Sequence, residues 1–169
     1  SQGIFGTKLF TFTDDIDVAN RLYFYVRDAE GVGFQNQFGT LAKLREPSPS
    51  LSKKQEGQDW EFAELISGSL SNGKIVERVS SQDKGLDPNS EIVIATSSLE
   101  VGFDDPRVGA VIQHKSPRNL SGFLQRKGRG GRTKKMRPWT SIILSDYGRD
   151  RLTFQAYEHV FEPEIEPAI

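Results

Sequence analysis

The 169-residue sequence contains no cysteine, only two histidines, His114 and His159, and a single methionine. Without cysteine there is no disulfide framework, no thiolate nucleophile and no cysteine-held zinc or iron–sulfur site. Two isolated histidines do not make a histidine-rich metal site, so no metal-binding residues are expected. Long apolar runs are missing too: nothing approaches the roughly 18 residues that a membrane span needs. The N-terminus lacks the basic-then-apolar order of a signal peptide. These absences set the expectation of a soluble, cytoplasmic protein with no membrane partner. Net charge is also scarce: 22 Lys and Arg against 23 Asp and Glu leave −1, which on average argues against a nucleic-acid binder.

That average conceals an asymmetry. Residues 115–137 hold nine basic side chains (Lys115, Arg118, Arg126, Lys127, Arg129, Arg132, Lys134, Lys135 and Arg137) and no acidic one, leaving 13 basic against 23 acidic elsewhere. The chain is a strongly basic segment on an acidic body. A hydrophobic content of 36%, with 11 Phe, suffices for a core, and the length fits one domain.

Lys8 to Thr13 reads as a short buried strand, after which Asp14 and Asp15 place carboxylates where a helix N-terminus favours them. Ile16, Ala19, Leu22, Tyr23 and Val26 then recur at helical spacing up to Gly31. Residues 45–59 turn to Pro, Ser, Lys, Gln and Gly and read as an exposed, mobile insertion. A helix is expected over Trp60–Leu70, strands over Ile75–Val79, Glu91–Ala95, Gly109–Gln113 and Trp139–Leu144, a helix over Leu120–Gly131, and a last helix from Arg149 to about Phe161. Strands separated by helices predict an α/β fold, a three-layer sandwich whose mostly parallel sheet is covered on both faces. In such sheets chemistry collects at the carboxyl ends of strands, where Thr13 and Thr96 fall.

The most informative segment is Gln125-Arg126-Lys127-Gly128-Arg129-Gly130-Gly131-Arg132. Arg129 and Arg132, one helical turn apart, point the same way and can fork onto phosphate oxygens. Gly128 and Gly131 remove side chains beside them and let a phosphate or a facing domain come close. A solvated basic turn, or a patch holding nucleic acid by charge alone, accounts for the same residues. Upstream lies Glu91 to Pro106, an apolar strand running through Thr96, Ser97 and Ser98 into a loop with Gly102, Asp104, Asp105 and Pro106.

Together these two segments resemble motifs V and VI of superfamily 2 helicases, and the opening strand and helix resemble motif IV. The resemblance spans roughly Thr7 to Leu144 and implies the C-terminal RecA-like lobe of such an enzyme, a P-loop NTPase fold. It implies that Arg129 and Arg132 act as arginine fingers on the β- and γ-phosphates of ATP held by an N-terminal RecA-like lobe. Charge spread over transferred phosphoryl oxygens is what a rigid planar cation stabilises. By the same resemblance Gln125 reads the γ-phosphate or couples it to the nucleic-acid side. Gly102, Asp104 and Gly128 then lie beside the nucleotide, with Asp104 on the ribose hydroxyls. Thr13, Thr96 and Ser97 match hydroxyls that touch the backbone of DNA or RNA, a contact that reads no base sequence.

Other accounts of these residues stay open. Asp104 can instead cap an Asx turn before Pro106. Each Thr can serve as a strand-end or cap hydroxyl, the better account for Thr13 taken alone. Lys115 and Arg118 flank Pro117 and extend the phosphate track or form a charged loop. Lys134, Lys135 and Arg137 read as surface charge, Trp60 and Trp139 as packing residues, and His114 as structural. No Gly-x-x-x-x-Gly-Lys-Ser/Thr loop and no Asp-Glu box occurs, so ATP and Mg2+ are expected to be held mainly by the other lobe. The stretch 80–90 reads as a loop without the family's usual signals. Residues 1–161 form the expected domain, with 162–169 a tail or linker cut from a longer protein. A non-catalytic RecA-like docking module for nucleic acid or protein is the alternative, with a free-standing phosphate-recognising enzyme third.

Overall fold

The computed structural model describes residues 5–30, 73–79, 87–96 and 104–158. The expected insertion at 45–59, the helix over Trp60–Leu70, Ser97, Gly102, His159 and the tail at 162–169 lie outside the described residues.

Lys8, Leu9, Phe10, Thr11 and Phe12 form β1 (Lys8–Phe12), a strand buried along nearly its whole length. The remaining described elements are α1 (Ile16–Ala29), β2 (Val76–Val79), β3 (Ile92–Ala95), β4 (Val108–His114), α2 (Leu120–Lys127), β5 (Trp139–Ile143) and α3 (Gly148–Gln155). The strands make one sheet in the order β2-β3-β1-β4-β5, with every neighbouring pair parallel. Central β1 is therefore flanked on both sides, Thr11 lying opposite Ile94 of β3 and Ile112 of β4. Near-continuous apolar runs follow from this placement, because a parallel strand buried on both faces has no solvated side to alternate with. Phe10, Phe12, Val93, Ile94, Val108 and Val111 are at most 1% exposed and form the core of the sheet.

The chain leaves β1 for one edge of the sheet and β4 for the other. Helix α1 packs against β2 and β3, and α2 against β4. Helix α1 starts as the sequence suggests, but on one aspartate rather than two. Asp15 caps it, accepting the N–H groups of Asp17 at 2.8 Å and Val18 at 3.1 Å, and the bonds from Val18 and Asp17 hold its carboxyl below the usual range. Asp14 is turned elsewhere.

Two expectations are corrected. Helix α2 ends at Lys127 instead of running to Gly131, so Arg129 and Arg132 leave the helix in successive turns rather than sharing its face. Gly128 caps it, and Gly131 then adopts φ +74°, a left-handed conformation that no helix continues through. Trp139, expected to be packed, is 66% exposed; among the described residues β5 is an edge strand bonded only to β4.

Candidate nucleotide and nucleic-acid faces

Both ends of the sheet carry charged groups, and a different network builds each. At the amino end, Lys8 opens β1 with its ammonium buried, 2.9 Å from Oδ2 of Asp105 and donating to Oγ of Ser90 at 3.3 Å. Arg107 donates from Nε to Oδ1 of Asp105 at 2.9 Å and from Nη2 to Oδ2 at 2.7 Å. Its Nη1 reaches the carbonyl of Pro88 at 2.7 Å. The Arg107 guanidinium, with the Arg107 N–H and Lys8 beside it, holds the Asp105 carboxyl far below its ordinary value in spite of burial. The Asx turn before β4 is thus made by Asp105, which accepts the N–H of Arg107 at 2.9 Å, and not by Asp104.

Asp104 is left exposed and meets Arg132, whose Nη1 lies 2.9 Å from Oδ2 of Asp104. Nε of Arg132 donates to the carbonyl of Gly128 at 3.1 Å. The turn that carries these groups is pinned to the sheet: the N–H of Gly131 donates to the carbonyl of Val108 at 2.9 Å, and the Thr133 hydroxyl to that of Pro106 at 2.6 Å. Gly131 is required twice, by its positive φ and because a Cβ there would stand 2.4 Å from Cγ of Pro138. Gly128 has ordinary helical φ, and a Cβ would meet nothing closer than the Leu124 carbonyl oxygen at 3.4 Å. Arg129 is half-buried and Gln125 exposed on α2. Asp104, Gly128, Arg129 and Arg132 therefore gather at the amino end of β4.

At the carboxyl end, the loop after β4 is fixed from two sides. Lys115 leaves the strand at φ 68°, its N–H donating to the carbonyl of Ile143 at 2.8 Å. Asp150 of α3 accepts the N–H of Ser116 at 2.8 Å and both the N–H and the hydroxyl of Ser145 at 3.0 and 2.7 Å. Burial works against ionisation of Asp150, but these bonds, Ser145 and Ser116 first, win and keep its carboxyl below the usual range. Arg149 donates to the carbonyl of Pro117, and Asp14 accepts the N–H of Arg118 at 2.7 Å. Lys115 and Arg118 are thereby presented, exposed, on a braced loop. Thr96 is half-buried at the end of β3.

Thr13, expected at a nucleic-acid contact, lies buried just past the end of β1. It is 0% exposed, its N–H bonds to the carbonyl of Ala95 at 3.1 Å, and its hydroxyl has no partner. His114 is half-buried with Nδ1 unpartnered; burial, then Lys115, lowers its pKa, and Asp150 opposes them. Lys134, Lys135 and Arg137 are exposed, as surface charge should be.

The sequence reading missed the buried Arg126. It is 3% exposed, donates from Nη1 to Oε1 of Gln113 at 2.7 Å, forms an ion pair with Asp14, and holds its guanidinium carbon 5.7 Å from the Phe12 ring centroid. A basic run gives no sign of which arginine turns inward. The available signal was position: Arg126 follows Phe123 by three residues, on the buried stripe of α2.

A parallel five-stranded sheet with helices, an arginine-bearing turn after α2 and a basic loop at the opposite end defines an α/β, RecA-like lobe. The model of the helicase conserved C-terminal domain matches residues 50–134, half of the chain, and the chain belongs to that family. It is 36% identical over 80 residues to the ATP-dependent DNA helicase hus2/rqh1 of Schizosaccharomyces pombe, an alignment covering 47% of this chain and 6% of that protein. The Mycobacterium smegmatis helicase Lhr, solved bound to ssDNA and AMP-PNP, superposes with a TM-score of 0.42 at 20% identity, over 81% of this chain and 15% of that one. The chain thus spans a small part of both of these proteins. Among the described residues no helix is long and apolar enough to cross a membrane.

Proposed function

We propose that this chain is the C-terminal lobe of an ATP-dependent DNA helicase. Its amino-end face docks on ATP held by an N-terminal RecA-like lobe, and its carboxyl-end face tracks the DNA backbone. The observation that carries this reading is the meeting of Asp104 and Arg132 on one exposed surface, although 28 residues separate them. The family resemblance assigns both positions to the nucleotide. An exposed ion pair is worth little, about 0–1 kcal/mol, so a triphosphate can take the guanidinium from Asp104 and leave that carboxylate for the ribose hydroxyls.

In this reading Arg129 and Arg132 stabilise the charge that develops on the transferred phosphoryl group, and Gln125 and Gly128 lie on the same face. Gly102 and Ser97 join these two faces by resemblance alone. In this reading Mg2+ and most ATP contacts fall to the N-terminal lobe. Lys115, Arg118 and Thr96 supply sequence-independent backbone contacts. DNA is favoured over RNA because the relatives are named as DNA helicases.

The test is ATP turnover by the full-length protein in the presence of single-stranded DNA. Arg129→Ala and Arg132→Ala should each lower it by about 10³-fold or more. Turnover left intact in both would show that these arginines are not fingers.

A further inference from the structure

Asp14 and Arg126 join the two faces. Asp14 follows the end of β1, and its two carboxylate oxygens take different partners: Oδ1 the Arg126 guanidinium, Oδ2 the N–H of Arg118 at 2.7 Å. Arg126 lies in the last turn of α2, and its carbonyl accepts the N–H of Arg129 at 3.0 Å. Helical side chains lean toward the N-terminus of their helix, so the Arg126 guanidinium reaches back toward the strand carboxyl ends while its backbone holds the arginine turn. One residue thus grips the turn carrying Arg129 by its main chain and, through Asp14, the loop carrying Lys115 and Arg118 by its side chain. The side chains of the pair are only 4% and 12% exposed. A buried ion pair is a poor way to gain stability compared with apolar packing of the same volume, which leaves its specificity as the property to account for.

We propose that Arg126 is a positioning residue that, with Asp14, couples occupancy of the nucleic-acid face to the placement of Arg129 at the nucleotide. This rests on the functional reading above. A phosphate seated on Lys115 and Arg118 shifts the amide that Asp14 holds, and a rigid pair passes that shift along α2 into the turn. Gln113, bonded to the same guanidinium, keeps the fork in plane and prevents the pair from simply rotating.

The experiment measures, on the full-length protein, the affinity for a non-hydrolysable ATP analogue with and without a single-stranded DNA oligonucleotide. The ratio of the two affinities is the coupling. In the wild type it should be about 5-fold or more. Asp14→Asn, nearly isosteric, and Arg126→Gln should bring it close to 1 while leaving nucleotide affinity without DNA little changed, and Arg126→Lys should restore part of it. A purely structural role would weaken both affinities together and leave the ratio alone, which would overturn the proposal. So would a wild type that shows no coupling, or failure of every unpaired variant to fold. Arg129→Ala separates the two readings: retained ATP turnover there sinks the finger assignment, whereas an unchanged ratio in Asp14→Asn sinks the coupling role.

Discussion

The guanidinium of Arg132 lies 2.9 Å from the carboxylate of Asp104, with the two side chains 40% and 62% exposed. A pair this open to water is screened and contributes about 0–1 kcal/mol. Asp104→Ala should therefore change urea-unfolding stability by less than about 1 kcal/mol. If Asp104 meets the ribose as proposed, the same substitution should weaken ATP binding in the full-length protein. A loss of stability well above that bound, with unchanged ATP affinity, would make the pair architectural.

Asp105, one residue on, should behave in the opposite way. Asp105→Asn leaves the ammonium of Lys8, whose side chain is 2% exposed, without its anion, and breaking such a buried pair costs about 3–5 kcal/mol. The acid response has a definite sign. Arg107 and Lys8 hold the folded carboxyl below its unfolded value, so the stabilisation is complete above roughly pH 4 and is lost as pH falls through the folded value. Urea midpoints measured between about pH 5 and pH 3 should fall more steeply for the wild type than for Asp105→Asn.

The two glycines around Arg129 should part company. Gly131→Ala forces a side chain into φ +74° and onto Pro138, so a loss of about 2 kcal/mol or more is expected in urea unfolding. Gly128→Ala sits at φ −67° with room for a methyl group and should change stability by less than about 1 kcal/mol. If a phosphate approaches Gly128, that nearly silent substitution should still depress ATP turnover. Equal effects on stability and turnover would remove Gly128 from the nucleotide face.

Sequence periodicity placed the strands well because burial on both faces makes them nearly continuous apolar runs; Phe10 to Phe12 and Ile92 to Ala95 are the clearest cases. It failed where contacts distant in sequence decide. The Leu120 helix stops at Lys127 because Gly131 must turn left-handed to reach Val108, and a run of Gly and Arg does not announce that. Trp139 reads as a packing residue but lies on an edge strand, and the order of strands in a sheet is not written in any one of them.

By itself, the sequence determined the α/β alternation, the basic segment at 115–137 and the resemblance that marks Arg129 and Arg132, since these depend on residue type at short spacing. Only the tertiary structure decided which charges do what. Among neighbouring aspartates, Asp15 caps a helix, Asp14 clasps Arg126 and Arg118, Asp105 neutralises Lys8, and Asp104 faces solvent beside Arg132. The physical reason is that a charge takes its role from burial and from the partner set opposite it, and parallel crossovers bring those partners from dozens of residues away.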